Sequence, residues 1–86
     1  MNDLFKKLVY KQLSQINNAS IFIEDGDEIK KFGNSKSLTA KIKVISPSFY
    51  KSIVFGGSIG ASESFIRGEW KSPNLTKVIQ VFARNT

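Results

Sequence analysis

Residues 38–44 read LTAKIKV, and this stretch decides the fold class. Apolar and polar residues alternate at every position, which is the period of a β-strand that buries one of its faces. Lys41 and Lys43 share the face opposite the apolar side chains. The stretch therefore predicts a half-buried strand with one apolar face and one basic face.

A hairpin precedes this strand. Residues 19–24 alternate isoleucine with polar or aromatic side chains, and residues 28–32 form a second candidate strand. The dipeptide Asp25-Gly26 between them accommodates the positive backbone angles of a tight turn. Residues 33–37 are polar and predict the connection to the strand at 38–44.

Apolar residues at helical spacing surround the three strands. Residues 4–16 predict an amphipathic helix. Ser-Pro pairs at 46–47 and 72–73 predict two further helix starts, because the missing N–H of proline costs nothing in a first turn. The glycines at 56–57 predict a helix end, followed by a short helix over 58–68 and an extended Glu-Trp pair. The predicted core residues of the later helices are Phe49, Tyr50, Ile53, Val54, Leu75, Val78, Ile79 and Phe82.

This order of elements predicts an α+β fold, with a small antiparallel sheet of three to four strands and helices packed on one face. A chain of 86 residues is expected to form a single domain, residues 1–86. The absence of His and Cys removes the commonest general base, metal ligand and thiol nucleophile, so an autonomous hydrolase or zinc enzyme is not expected. No secretory or membrane-spanning stretch is present, so we expect a cytoplasmic location.

The net charge of +6 favours an anionic partner. Lys6, Lys7 and Lys11 lie on the polar side of the first predicted helix, and Lys41 and Lys43 lie on the basic strand face. An anionic phospholipid surface is the favoured partner for these groups. Nucleic acid is less favoured, since eleven of the thirteen basic residues are lysine and most aromatic residues fall on predicted core positions.

A longer combination of motifs carries a family resemblance. Residues 41–50 read KIKVISPSFY, residues 56–70 read GGSIGASESFIRGEW and residues 72–75 read SPNL. This combination resembles the N-terminal domain of cyclopropane-fatty-acyl-phospholipid synthases and related S-adenosylmethionine-dependent methyltransferases. The order of elements is also similar to that of the sterol-carrier-type lipid-binding fold. The positions that depart from the family pattern are Ala61, Ser62, Ile66 and Arg67.

The resemblance implies a non-catalytic N-terminal domain of a larger synthase, whose separate catalytic domain binds S-adenosylmethionine. The residues of this chain would then hold no cofactor or metal, and would present phospholipid or dock the catalytic domain at the inner membrane surface. Glu63 matches a glutamate of the family, which implies a structural or docking role. Trp70 and Phe65 either pack in the core or line a pocket for acyl chains. A freestanding lipid-binding or carrier domain and a basic nucleic-acid-binding module remain as alternatives.

Overall fold

The computed structural model of the protein describes residues 3–85. Within this range the fold is α+β, as the sequence predicts, with three helices and a four-stranded sheet. The elements in chain order are α1 (Asp3–Leu13), β1 (Ser20–Asp25), β2 (Glu28–Gly33), β3 (Thr39–Val44), α2 (Ser48–Ile66), β4 (Trp70–Lys71) and α3 (Leu75–Arg84). No helix in the described range is both long and apolar enough to cross a lipid bilayer.

The strand order of the sheet is β2-β1-β3-β4. The pairs β1–β2 and β3–β4 are antiparallel, but β1 and β3 run parallel, so the expectation of an antiparallel sheet is wrong in this detail. Parallel neighbours need a crossover of about a dozen residues or more, and here β2 and residues 34–38 supply it. Because the crossover is itself a strand, alternation along the chain does not reveal the relative direction of β1 and β3.

Helices cover one face of the sheet and leave the other face open. The open face carries Lys41 and Lys43, both exposed, as the alternation in β3 predicts. On the covered side, Val81 of α3 is buried, although it was not among the predicted core residues. The covered face contributes Ile21, Ile23, Ala40 and Ile42, which pack in one core with Phe49, Tyr50, Ile53, Trp70, Val78, Val81 and Phe82.

Helix α2 bends sharply at Gly57. This residue has a φ of 54° and a ψ of −134°, a conformation that favours glycine, so the predicted break at 56–57 is confirmed. Beyond the bend, Gly60 lies against the backbone of Ser52. In a straight helix these two residues would be about 12 Å apart along the axis, so their contact requires the bend. The second segment of α2 therefore folds back toward the first and leads the chain into β4.

The first helix is shorter than its apolar spacing predicts. It ends at Leu13, and the Ser14 hydroxyl donates a hydrogen bond to the Lys11 carbonyl at 2.6 Å, which competes with continuation of the helix. Leu4 and Leu8 are 62% and 43% exposed, so the apolar stripe of α1 is wider than the surface it buries.

The last helix begins later than the Ser72-Pro73 pair predicts. Asn74 caps it, because this residue has extended backbone angles and its side chain accepts a hydrogen bond from the Lys77 N–H at 3.1 Å. Leu75, predicted for the core, is 37% exposed at the start of the helix.

Candidate functional site

The open face of the sheet gathers four lysines around apolar side chains. Phe22 and Glu24 of β1 share this face because side chains alternate along a strand. The register places Phe22 beside Lys41 and Glu24 beside Lys43. The members of this surface, called the basic sheet face below, are Phe22, Glu24, Ile29, Lys31, Lys41, Lys43 and Lys71.

A cleft of about 470 Å³ lies on the basic sheet face. Ile29 is 68% exposed at one end, and Pro73 lies at the other end beside β4. Lys77 lines an adjoining depression that shares Lys41 with the cleft. The full lining of the cleft is Phe22, Glu24, Ile29, Lys41, Ile42, Lys43, Lys71, Ser72 and Pro73. The cleft thus combines an apolar floor with cationic side chains.

Lys43 and Lys71 are direct cross-strand partners on this face. Side chains in such positions have Cβ atoms about 4.5–5.5 Å apart, and like charges there repel each other. In the described part of the chain, the ion pairs within 4.0 Å join Lys6 to Asp25 and Glu28 and Arg67 to Glu69. The lysines of the basic sheet face therefore have no carboxylate within that distance among the side chains described in residues 4–85.

Burial of Trp70 sets the position of Lys71. Trp70 is fully buried, as predicted, and its indole N–H donates to the Ala61 carbonyl at 2.9 Å. Its ring packs edge-on against Phe49 and Phe65, with centroids at 6.1 and 5.0 Å. Because successive strand residues face opposite sides, burying Trp70 directs Lys71 to the open face. Trp70 and Phe65 thus belong to the packing behind the sheet, not to the cleft.

A hydrogen-bonded cluster around Glu69 holds β4 to the bent helix. The Glu69 carboxylate accepts from the Ser64 hydroxyl at 2.5 Å, from the Ser52 hydroxyl at 3.3 Å and from the Arg67 side chain at 3.2 Å. The Arg67 guanidinium has the largest effect and, together with these hydroxyls, holds the pKa of Glu69 below its usual value. A lowered pKa is the opposite of what a general acid needs at neutral pH. We therefore assign a structural role to this cluster. Glu63 lies outside the cluster and is exposed on α2.

The lysines predicted on the first helix lie away from the basic sheet face. Lys6 pairs at 3.2 Å with both Asp25 and Glu28 of the hairpin. The Tyr50 hydroxyl also donates to Asp25 at 2.6 Å, and this bond, together with Lys6, lowers the pKa of Asp25. Lys6 is thus part of a clip between α1 and the hairpin. Lys7 and Lys11 are exposed on α1.

A second surface lies on the helical side of the domain. Phe55 is 73% exposed and packs edge-on against Phe5 of α1, with ring centroids 5.7 Å apart. Leu8 and Val54 line a depression beside it together with Lys11. The helical patch, as we call it below, consists of the exposed Leu4, Leu8 and Phe55 and of Val54, which was predicted for the core and is partly buried against it.

Several members of the basic sheet face were not singled out from the sequence. The signal for Phe22 was present, since it alternates with Ile21 and Ile23 in the predicted strand and so lies on the opposite face from them. The signal for Lys71 was its place directly after a tryptophan expected in the core. Ile29 carried no such signal, because its exposure depends on β2 being an edge strand.

The described residues contain no group of three or more His, Cys, Asp or Glu side chains that could hold a metal ion. A scan against protein-family models and searches of curated proteins and solved structures find no match to this chain. The basic sheet face is therefore the feature from which a function can be proposed.

Proposed function

We propose that this chain is a non-catalytic accessory domain of an enzyme that modifies phospholipids, of the cyclopropane-fatty-acyl-phospholipid synthase type. Its basic sheet face contacts the anionic headgroup layer of a membrane. The observation that carries the proposal is the combination of unpaired lysines with an apolar cleft on one open sheet face. The motifs over residues 41–75 support the synthase type, and S-adenosylmethionine would be bound by the catalytic domain and not by these residues.

The chemistry of the face matches a headgroup layer in two ways. Each lysine near an anionic membrane surface contributes about 1 kcal/mol of attraction, so four lysines acting together give measurable binding. The exposed side chain of Ile29 and the half-buried ring of Phe22 add apolar contact below the charged layer. Apolar contact is not screened by salt, so binding should be weakened but not abolished at physiological ionic strength.

A nucleic-acid-binding sheet is the second candidate. Phe22 lies on a central strand between Lys31 and Lys41, an arrangement in which a base could stack on the ring. However, the Lys31 ammonium lies 5.8 Å from the centroid of the Phe22 ring, where it covers part of the ring. This lysine would have to move for a base to stack on the ring or for a lipid to contact it, so it does not distinguish the two ligands. Lipid remains the favoured partner because Phe22 is the one aromatic member of the basic sheet face and the cations of that face are all lysines.

The carrier alternative requires an acyl chain to be enclosed. Between sheet and helices, the space is occupied by packed aromatic side chains, including Phe49, Tyr50 and Trp70. The cleft on the basic sheet face is open to solvent and can accept part of a lipid, but does not surround a chain. This geometry favours contact with lipid in a membrane.

Co-sedimentation with vesicles tests the proposal. The wild-type chain is expected to bind phosphatidylcholine vesicles only when they contain phosphatidylglycerol, and to retain part of this binding at physiological salt. The double variant Lys41→Glu/Lys43→Glu should lose binding at least tenfold. Lys7→Glu/Lys11→Glu changes the net charge by the same amount on α1 and should keep most of the binding. Equal losses in both variants would show that net charge alone attracts the chain.

Tryptophan reporters identify the surface that touches the membrane. Ile29→Trp places a reporter on the basic sheet face, and Phe55→Trp places one on the helical patch, while Trp70 stays buried as a constant background. With anionic vesicles, we expect a blue shift in emission from the reporter at position 29 alone. A blue shift only from position 55 would assign membrane contact to the helical patch and contradict the proposal.

An oligonucleotide titration separates the second candidate. Nucleic-acid binding through phosphates falls steeply and log-linearly with salt, because bound counterions are released. Sub-micromolar affinity for a single-stranded or duplex oligonucleotide at physiological salt, without vesicle binding, would replace the lipid proposal with a nucleic-acid function.

A further inference from the structure

We infer that Lys43 and Lys71 form a discrete site for the phosphodiester of a single phospholipid molecule. This inference rests on the proposed function and deepens it, because it distinguishes a saturable site from a diffuse attraction between a basic surface and a membrane. The ligand is an anionic phospholipid whose phosphate lies between β3 and β4.

The first step is the unfavourable arrangement of the two lysines. They face each other directly across an antiparallel pair on the open face, and Lys41 follows on the same face of β3. Like charges in direct cross-strand positions destabilise a sheet. β4 contains only two residues, so this pairing makes up a large part of its contact with β3. An anion bound between the ammonium groups would relieve the repulsion.

The second step is the orientation of the ligand. Glu24 lies beside Lys43 on β1 and repels a phosphate from that side of the cleft. The exposed Ile29 lies beyond Glu24 on β2, and Phe22 lies two residues from Glu24 along β1, beside Lys41. These two side chains supply the apolar surface. Neighbouring strands are about 4.8 Å apart, so the distance from Lys43 to Ile29 across β1 is about 10 Å. That distance allows the glycerol and the first chain carbons to lie on the apolar side chains while the phosphate contacts the lysines.

Soluble probes test this site independently of membranes. We would titrate the full chain by calorimetry with dihexanoyl phosphatidylglycerol below its micelle concentration, with the deacylated phosphodiester glycerophosphoglycerol, and with inorganic phosphate. We expect saturable 1:1 binding of the short-chain lipid, at least tenfold tighter than that of either chain-free probe. Inorganic phosphate binding as tightly as the lipid would overturn the inference in favour of a free-phosphate site.

Substitutions locate the site. Lys43→Gln and Lys71→Gln should each weaken binding of the short-chain lipid about fivefold, since each removes one cation next to the phosphate. Lys51→Gln, an exposed lysine on α2, should leave the affinity within twofold. The same loss in all three variants would indicate diffuse electrostatic attraction and overturn the inference.

The stability of the free protein gives an independent readout. Lys71→Glu replaces a repulsive cross-strand pair with an attractive one, so the melting temperature without ligand should rise by about 2–4 °C while lipid binding is lost. A purely structural role of Lys71 would instead lower the melting temperature. A lower melting temperature in both Lys71→Glu and Lys71→Gln would therefore contradict the inference.

The outcomes for the site and for the proposed function are separable. Vesicle binding without saturable binding of the short-chain lipid would keep the proposed function and overturn the discrete site. Saturable lipid binding without vesicle binding would support the site and overturn membrane contact.

Discussion

Replacing Gly60 with alanine should destabilise the fold strongly, because the bend in α2 depends on the absence of a side chain there. A Cβ at Gly60 would lie 3.0 Å from the carbonyl carbon of Ser52 and closer still to the carbonyl oxygen. The obstructing atoms are backbone, so they cannot swing away as the end of a flexible side chain can. The second segment of α2 would have to move as a unit.

The magnitude follows from two opposing effects. Overpacking of this kind costs about 1–3 kcal/mol, and more where backbone has to shift. Alanine recovers about 1 kcal/mol through its higher helix propensity. Since the overlap involves the Ser52 backbone itself, we expect a net loss of about 2 kcal/mol. For a domain of this size that loss corresponds to a fall in melting temperature of about 8–16 °C.

Gly56→Ala provides the matched control. A Cβ at Gly56 would meet no atom within 4 Å, and this residue precedes the bend at Gly57. The substitution should leave stability unchanged or raise it by up to about 1 kcal/mol. Thermal denaturation of the two variants beside the wild type, followed by circular dichroism, measures the difference. Equal stability of the two variants would refute the proposed packing of α2 on itself.

Three further predictions concern stability. Trp70→Ala should cost about 3–5 kcal/mol in chemical denaturation, because it empties a fully buried aromatic site. Asp25→Asn should cost about 1 kcal/mol at pH 7, since Tyr50 and a neighbouring ammonium lower the folded-state pKa of Asp25. A lowered pKa stabilises the fold above the ordinary value of 3.8, and this effect is lost as pH falls through the folded value. The urea midpoints of variant and wild type should therefore converge as the pH is lowered below 3.8. Asn74→Ala should cost about 1 kcal/mol by removing the cap of α3, and unchanged amide exchange at Lys77 would contradict it.

Local sequence signals predicted most elements of the fold. The hairpin turn at Gly26 and the glycine break in α2 act through backbone preferences, and the strand over residues 38–44 acts through the alternation of neighbouring side chains. Such preferences do not depend on the rest of the chain, so they can be recognised in the sequence alone. The burial of Trp70 was predictable for a related reason, since large aromatic residues dominate small cores.

Features that depend on distant contacts were not predictable in the same way. The parallel pairing of β1 with β3 is decided by which edge of β1 the chain reaches after β2, and no local pattern specifies that edge. The exposure of Leu4 and Leu8 was not predictable for a similar reason, because helical spacing defines an apolar stripe but not the part of that stripe that a neighbouring helix covers. The close approach of Gly60 to Ser52 becomes apparent only once the bend is known.

The sequence predicted only part of the candidate site, because grouping its residues depends on contacts between distant parts of the chain. Alternation alone placed Lys41 and Lys43 on a non-core face. Their grouping with Lys71 needed the β3–β4 register, and their grouping with Phe22 and Ile29 needed the order of the strands. The grouping, and not any single lysine, gives the face its chemistry.

The distribution of charge over the surface bears on which side of the domain would face an anionic membrane. Lys6 and Arg67 pair with carboxylates of the hairpin and of the segment before β4, whereas the basic sheet face has four lysines and the single carboxylate of Glu24, a net charge of +3. Screening over about 8 Å at physiological ionic strength leaves these neighbouring charges acting together on a nearby anionic surface. We expect an anionic membrane to contact the sheet side, because there this charge adjoins the apolar cleft. In that orientation the helical patch would lie on the helical side of the domain, where the exposed Phe55 would be accessible to a protein partner such as the proposed catalytic domain.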